Sequence, residues 1–138
     1  MSLINSGTPF DINLGLEKTH VVVTGGCGLI GRVVVHAFLA AGACVTVIDL
    51  KGECPFDLNE RNLLCCNADI TNAEQIDRAF EEAENKFGPV ETCVALASLD
   101  LSVLPQSESL ADMDPATWQR VFDVNVGEST DGRVPLAT

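Results

Sequence analysis

The chain contains no tyrosine. No phenol is therefore available as a general acid, base or nucleophile, and any proton transfer must use another group. Cations are scarce as well: eight Lys and Arg stand against twenty Asp and Glu, a net charge of −12. The eight are scattered rather than gathered in a stripe. That excludes a phosphate-neutralising surface for nucleic acid and argues against docking on anionic lipid. Much of the acidity lies in "EQIDRAFEEAENK", which reads as the solvated face of one helix. Only two histidines occur, His20 and His36, and the six cysteines at 27, 44, 54, 65, 66 and 93 include no C-x-x-C pair. A metal site is not expected from that spacing. Several cysteines fall inside apolar, strand-like runs, where the thiol packs as a small hydrophobe, so reduced thiols in a cytoplasmic protein are the expectation. The first nineteen residues show no apolar run behind a basic start, so no signal peptide is expected. The longest apolar stretch, residues 33–48, is broken by His36 and Gly42 and changes period midway. It reads as a helix followed by a strand, not as a membrane span.

What is present is apolar enough, at 46% of 138 residues, to bury the core of one domain. The pattern alternates. "HVVVTG" reads as a buried strand ended by glycine. Residues 29–41 then place Ile30, Val33, Val34, Ala37, Phe38 and Ala41 on one helical face, with Gly42 as the stop. "CVTVIDL" and, after a polar loop with Pro55, "LLCCNAD" read as the second and third strands. Thr71 and Glu74 form a T-x-x-E capping box ahead of a helix carrying Ala73, Ile76, Phe80, Ala83 and Phe87, which Gly88-Pro89 ends. "VETCVALAS" reads as a fourth strand. A polar loop over residues 99–113 leads to Asp114 as N-cap, Pro115 at the first helical position and the helix "ATWQRVFDVN". Strand–helix alternation with right-handed crossovers predicts an α/β fold: a doubly wound, parallel, Rossmann-like sheet of order 3-2-1-4 that stops before a fifth strand.

"TGGCGLIG", residues 24–31, spells G-x-G-x-x-G at Gly26, Gly28 and Gly31, with Gly25 ahead of it. It follows a strand and opens a helix, and Asp49 ends the next strand. One glycine permits positive φ and a middle one lets backbone approach a pyrophosphate. Gly31 lets the helix pack close to the sheet, and the helix N-terminus offers unpaired N–H groups to the anion. Asp49 can accept the two ribose hydroxyls of the adenosine half, which favours NAD over NADP. The alternative is a tight strand-to-helix corner that binds nothing. Asn125 has two readings as well. Trp118, Val121, Phe122 and Asn125 share one helical stripe, which makes the amide a functional group needing partners, or else an ordinary helix-end Asn before Gly127. His36, beside Arg32, reads as a surface residue, and His20 has no carboxylate partner in the pattern.

Over residues 20–126 the chain resembles the short-chain dehydrogenase/reductase family. "TGGCGLIG" is similar to the T-G-x-x-G-x-x-G form of its extended branch. "NADIT" resembles its third-strand signature and "ATWQRVFDVNV" the helix bearing its asparagine, a feature of the simpler branch. The resemblance implies cofactor contacts at Gly25, Gly26, Cys27, Gly28, Leu29, Ile30 and Gly31. It adds Asp49 for the ribose, Asp69 and Ile70 flanking the adenine, Ala95 and Ala97 at the fourth strand, and Asn125 as the catalytic asparagine. At the fourth strand, where the family carries N-N-A-G or H-x-A-A, this chain has Ala95, Leu96, Ala97 and Ser98, and only Ala97 is kept.

The family's Ser, its Tyr acid/base and the Lys four residues after that Tyr have no counterparts here. The lysines are Lys18, Lys51 and Lys86. The expected organisation is an N-terminal extension (1–19), an incomplete dinucleotide-binding domain (20–126) and an atypical tail (127–138), as from a truncated or misread coding sequence. Three functional readings follow. The first is an NAD-dependent oxidoreductase of this family that holds cofactor but lacks catalytic residues, with a small-molecule substrate in the full-length relative. The second is a non-catalytic nucleotide-binding or interaction module. The third is a fragment of an extended-type nucleotide-sugar epimerase or dehydratase. Self-association through an exposed fourth strand is also expected.

Overall fold

The computed structural model describes residues 14–57, 59–99 and 113–126. The expected tail and most of the expected extension and polar loop lie outside them. The elements run β1 (His20–Thr24), α1 (Leu29–Ala40), β2 (Cys44–Asp49), β3 (Leu63–Asn67), α2 (Ala73–Phe87), β4 (Thr92–Ala95) and α3 (Pro115–Asn125). The strands form one parallel sheet of order β3-β2-β1-β4, with a helix between β1 and β2 and between β3 and β4 and a loop between β2 and β3.

Because side chains alternate along a strand, β1 and β2 supply two cores. Val21, Val23, Val45 and Val47 join Val35 of α1 on one face. Val22 and Ile48 join Ile76, Ala79 and Phe80 of α2 on the other. A sheet covered on both faces explains why its strands read as continuous apolar runs. His20 is part of this packing. It is 1% exposed, and its Nδ1 donates to the Gly88 carbonyl at 2.8 Å while Nε2 accepts from the Thr46 hydroxyl at 3.0 Å. A carbonyl can only accept, which fixes the tautomer. The ring thus ties the end of α2 to β1 and β2.

Three local expectations are corrected. The inward face of α1 is Gly31, Val34, Val35, Phe38 and Leu39, whereas Ile30 and Val33 are 70% and 71% exposed. The helix is apolar almost all round, so periodicity left its phase open. Gly31 decides it, because a Cβ there would lie 2.6 Å from Gly26 Cα, and this face must therefore press on the turn. Second, α2 is capped by Asn72, whose side chain accepts from Gln75 N. Thr71 is bound instead to Asp69, through its N–H at 2.9 Å and its hydroxyl at 2.7 Å.

Third, the cysteines are not all thiols. Cys54 and Cys65 are joined, with Cα atoms 6.3 Å apart, because the loop after β2 folds back onto edge strand β3. Cys66, the next residue, points to the opposite face and remains a thiol. Burial first, and then the Glu82 carboxylate, push it up to about 11. Since the thiolate is the nucleophile, Cys66 should resist maleimide labelling in the native protein at pH 8 and label promptly in denaturant. Peptide mass mapping reads this directly, and prompt native labelling would contradict the burial.

Candidate dinucleotide cleft

The carboxyl ends of β1, β2 and β4 open into a cleft of about 530 Å³. This is where the strand order reverses around β1, the position at which doubly wound sheets bind ligands. The β1–α1 turn forms its floor, and each glycine there answers to a different constraint. Gly25 has φ +65°, and a Cβ on it would lie 2.6 Å from Ala97 N. Gly26 backs onto Val47, with Cγ1 2.8 Å from an added Cβ. Gly28 is the least confined of the four, an added Cβ meeting only the Gly25 carbonyl, at a tight 3.2 Å. Gly28 is also the N-cap of α1. It has no side chain to cap with, and no acidic residue occupies the first turn, so that helix end keeps N–H groups and positive charge for an anion.

Asp49 locks this floor to β2. Its Oδ2 accepts from Cys27 N at 2.9 Å and its Oδ1 from Lys51 N at 3.0 Å. Each oxygen keeps a further lone pair for a ligand hydroxyl. The Cys27 thiol is held above its usual value, mainly by burial and next by the Asp49 charge, so it contributes a backbone donor and no thiolate. Across the cleft, the N–H and hydroxyl of Thr71 hold the Asp69 carboxyl below the ordinary range, with help from Arg120. Thr24 joins β1 to the exit of β4: its hydroxyl accepts from Leu96 N at 3.2 Å and Ala97 N at 3.3 Å.

Of the residues expected at the site, Gly25, Gly28, Leu29, Ile30 and Gly31 line the cleft, and so do Asp49, Asp69, Ile70 and Ala97. Gly26 and Cys27 lie beneath the floor. Ala95 is a pairing residue opposite Thr24, and does not line the cleft. Asn125 does not line it either and is exposed. Its amide instead clips the chain beyond β4, accepting from Leu99 N and donating to Leu99 O, both at 2.8 Å. The pairing satisfies the amide without burial and positions Leu99 on the cleft wall. Arg120, Asp123 and Val124 of α3 complete that wall. Sequence reasoning missed them because α3 reaches the site through tertiary packing alone, although their spacing of one helical turn was visible. Among the described residues, no group of three or more His, Cys, Asp or Glu could hold a metal ion, and no helix is long and apolar enough to cross a membrane.

This architecture has relatives. The family model described as short chain dehydrogenase matches residues 19–129. The chain belongs to the short-chain dehydrogenase family. A short chain dehydrogenase/reductase of Macrophomina phaseolina is 32% identical over 112 residues, covering 76% of this chain and 62% of that protein. One of Gibberella zeae is 28% identical over 131 residues, covering 91% and 45%. The acetoacetyl-CoA reductase of Synechocystis is 32% identical over 115 residues, covering 83% and 44%. The chain thus spans about half the length of such relatives. A crystal structure of a short chain dehydrogenase of Leptospira borgpetersenii with bound NAD+ has the same fold. Its TM-score is 0.73 at 22% identity, over 90% of this chain and 46% of that one. The family match spans the glycine turn, all four strands and α3.

Proposed function

We propose that these residues form the NAD-binding half of a short-chain oxidoreductase, and that within them binding is not accompanied by turnover. The observation that carries the reading is the floor of the cleft. Gly28 leaves room where any side chain would intrude, directly before the uncapped start of α1 and beside a carboxylate already oriented by two backbone donors. Gly25, Gly28 and the first turn of α1 would hold the pyrophosphate, Asp49 the ribose hydroxyls, and Asp69 and Ile70 the adenine edge. A bound nicotinamide cofactor supplies hydride transfer. Transfer to or from an alcohol also needs a proton donor or acceptor, and the sequence offers no tyrosine for that role. Asn125 acts here as a positioning residue through Leu99.

NAD is the preferred form in this reading. A 2′-phosphate would approach the Asp49 carboxylate, and two like charges at ~4 Å cost up to about 4 kcal/mol at an effective dielectric near 20. Lys51 and Arg32 line an adjoining recess and reduce that cost. Titration calorimetry with both cofactors should therefore give tighter NAD binding, with a gap that narrows in Asp49→Asn. Equal or tighter binding of NADP by the parent would overturn the assignment. The second reading, a nucleotide-binding module without catalysis, predicts the same titration. It is separated only by activity assays on chains that extend beyond these 138 residues.

A further inference from the structure

The loop between β2 and β3 starts at the carboxylate assigned above to the ribose and ends at the joined cysteines. Leu50 O accepts from the Asn67 side chain at 2.8 Å, and Lys51 N donates to Asp49 at 3.0 Å. Gly52 and Glu53 are exposed. Cys54 is then bonded to Cys65, a β3 residue opposite Val47 of β2, and Phe56 is buried against the α1 side of the sheet, its ring 5.3 Å from His36. The bond therefore fastens the loop five residues beyond Asp49, to the strand beside the one that carries Asp49. Both cysteines are only half-buried. Cys54 lines a recess of about 400 Å³ with Arg32, Lys51 and Glu53, through which a small thiol or disulfide can reach it.

We propose that Cys54 and Cys65 are a reversible redox pair that sets dinucleotide affinity by locking or releasing the β2–β3 loop. The proposal rests on the cofactor reading of Asp49. Oxidation proceeds by exchange with a small-molecule disulfide such as oxidised glutathione. The Cys54 thiolate attacks one of its sulfurs and expels a first glutathione thiolate. The Cys65 thiolate then attacks Cys54 Sγ of the mixed disulfide and expels the second. Two protein thiols lose two electrons, one glutathione disulfide becomes two glutathione molecules, and these take up the two thiol protons. Closed, the loop holds Lys51 N on Asp49 before any ligand arrives. Open, its ordering must be supplied by binding, and a loop fixed in its bound conformation binds more tightly for that reason.

The experiment compares NAD binding, by fluorescence titration at low micromolar protein, for the chain oxidised with glutathione disulfide and reduced with dithiothreitol. Peptide mapping accompanies it to locate the bond. The oxidised form should carry a Cys54–Cys65 cross-link and bind NAD roughly five- to tenfold more tightly, the scale of one immobilised loop segment. Cys54→Ser should bind like the reduced parent in either buffer. If that variant fails to fold, as read by far-UV circular dichroism, the two states of the parent decide alone. Equal affinities in the two states, or a cross-link between other cysteines, would overturn the proposal while leaving the cofactor site standing. If neither state binds NAD, the cofactor reading itself fails and the proposal falls with it.

Discussion

Replacing Gly28 with valine should abolish NAD binding and leave the fold intact, whereas Gly31→Ala should cost the fold first. Gly28 has φ −72° and ψ 174°, extended values open to any residue. A Cβ there meets one carbonyl at 3.2 Å and otherwise points into the cleft. The structural cost is that of a poorer N-cap, about 1 kcal/mol. The branched side chain, however, stands where the proposed site places the pyrophosphate, so affinity should fall by at least roughly 100-fold, or about 2.8 kcal/mol. At Gly31 an added methyl would lie 2.6 Å from Gly26 Cα and 2.8 Å from Gly26 C. That is backbone on both sides of the contact, so α1 must move off the turn, and overpacking of this kind costs about 1–3 kcal/mol or more. The signatures are opposite. Gly28→Val keeps its melting temperature within a few degrees and loses the calorimetric signal, while Gly31→Ala lowers the melting temperature and loses binding as a consequence. Parent-like NAD affinity in Gly28→Val would reduce the turn to a corner.

The order β3-β2-β1-β4 follows from local cues that agree with one another. Short apolar runs lead into Gly25 after β1, Asp49 at the end of β2 and Asp69 after β3, each run is followed by a helix-period segment or a polar loop, and parallel neighbours require crossovers. The glycine turn was legible for the same reason, since the constraint on each glycine is local to residues 24–31 and their contacts. What escaped the sequence depends on contacts distant along the chain. The phase of α1 is set by Gly31 against Gly26, and the apolar residues Ile30 and Val33 gave it no reason to point outward. Asn72, rather than Thr71, caps α2 because Asp69 has already taken Thr71. The Cys54–Cys65 pairing depends on how a loop of eleven residues' separation folds back, which spacing does not encode. Asn125 was singled out by its place on an apolar stripe, but its partner, the Leu99 backbone, lies 26 positions away. Nothing in the periodicity pointed to it.

The 138-residue chain on its own should associate through β4. That strand pairs with β1 on one side, and among the described residues no strand lies on the other. Its Thr92 and Ala95 are exposed and its Val94 is half-buried, with neither proline nor lysine in "TCVA" to discourage a second chain. Nearby in the fold, α3 buries none of its residues, and its Trp118 and Phe122 are 49% and 44% exposed with ring centroids 4.8 Å apart. An open strand edge templates main-chain pairing, and an exposed aromatic patch supplies apolar area for a partner. A second copy meets both demands at once, so light scattering at tens of micromolar should report dimers and larger edge-paired species. NAD should relieve this only in part. A ligand at 100 times its Kd adds about 2.7 kcal/mol to the folded state, but it covers neither the strand edge nor the Trp118 face. Thr92→Lys combined with Trp118→Gln places a charge on the edge and removes half the aromatic pair, and should shift the population towards monomer without loss of NAD binding. A monodisperse parent with a cooperative melt would show that β4 and α3 are adequately covered within the chain itself, and that edge pairing does not govern its behaviour.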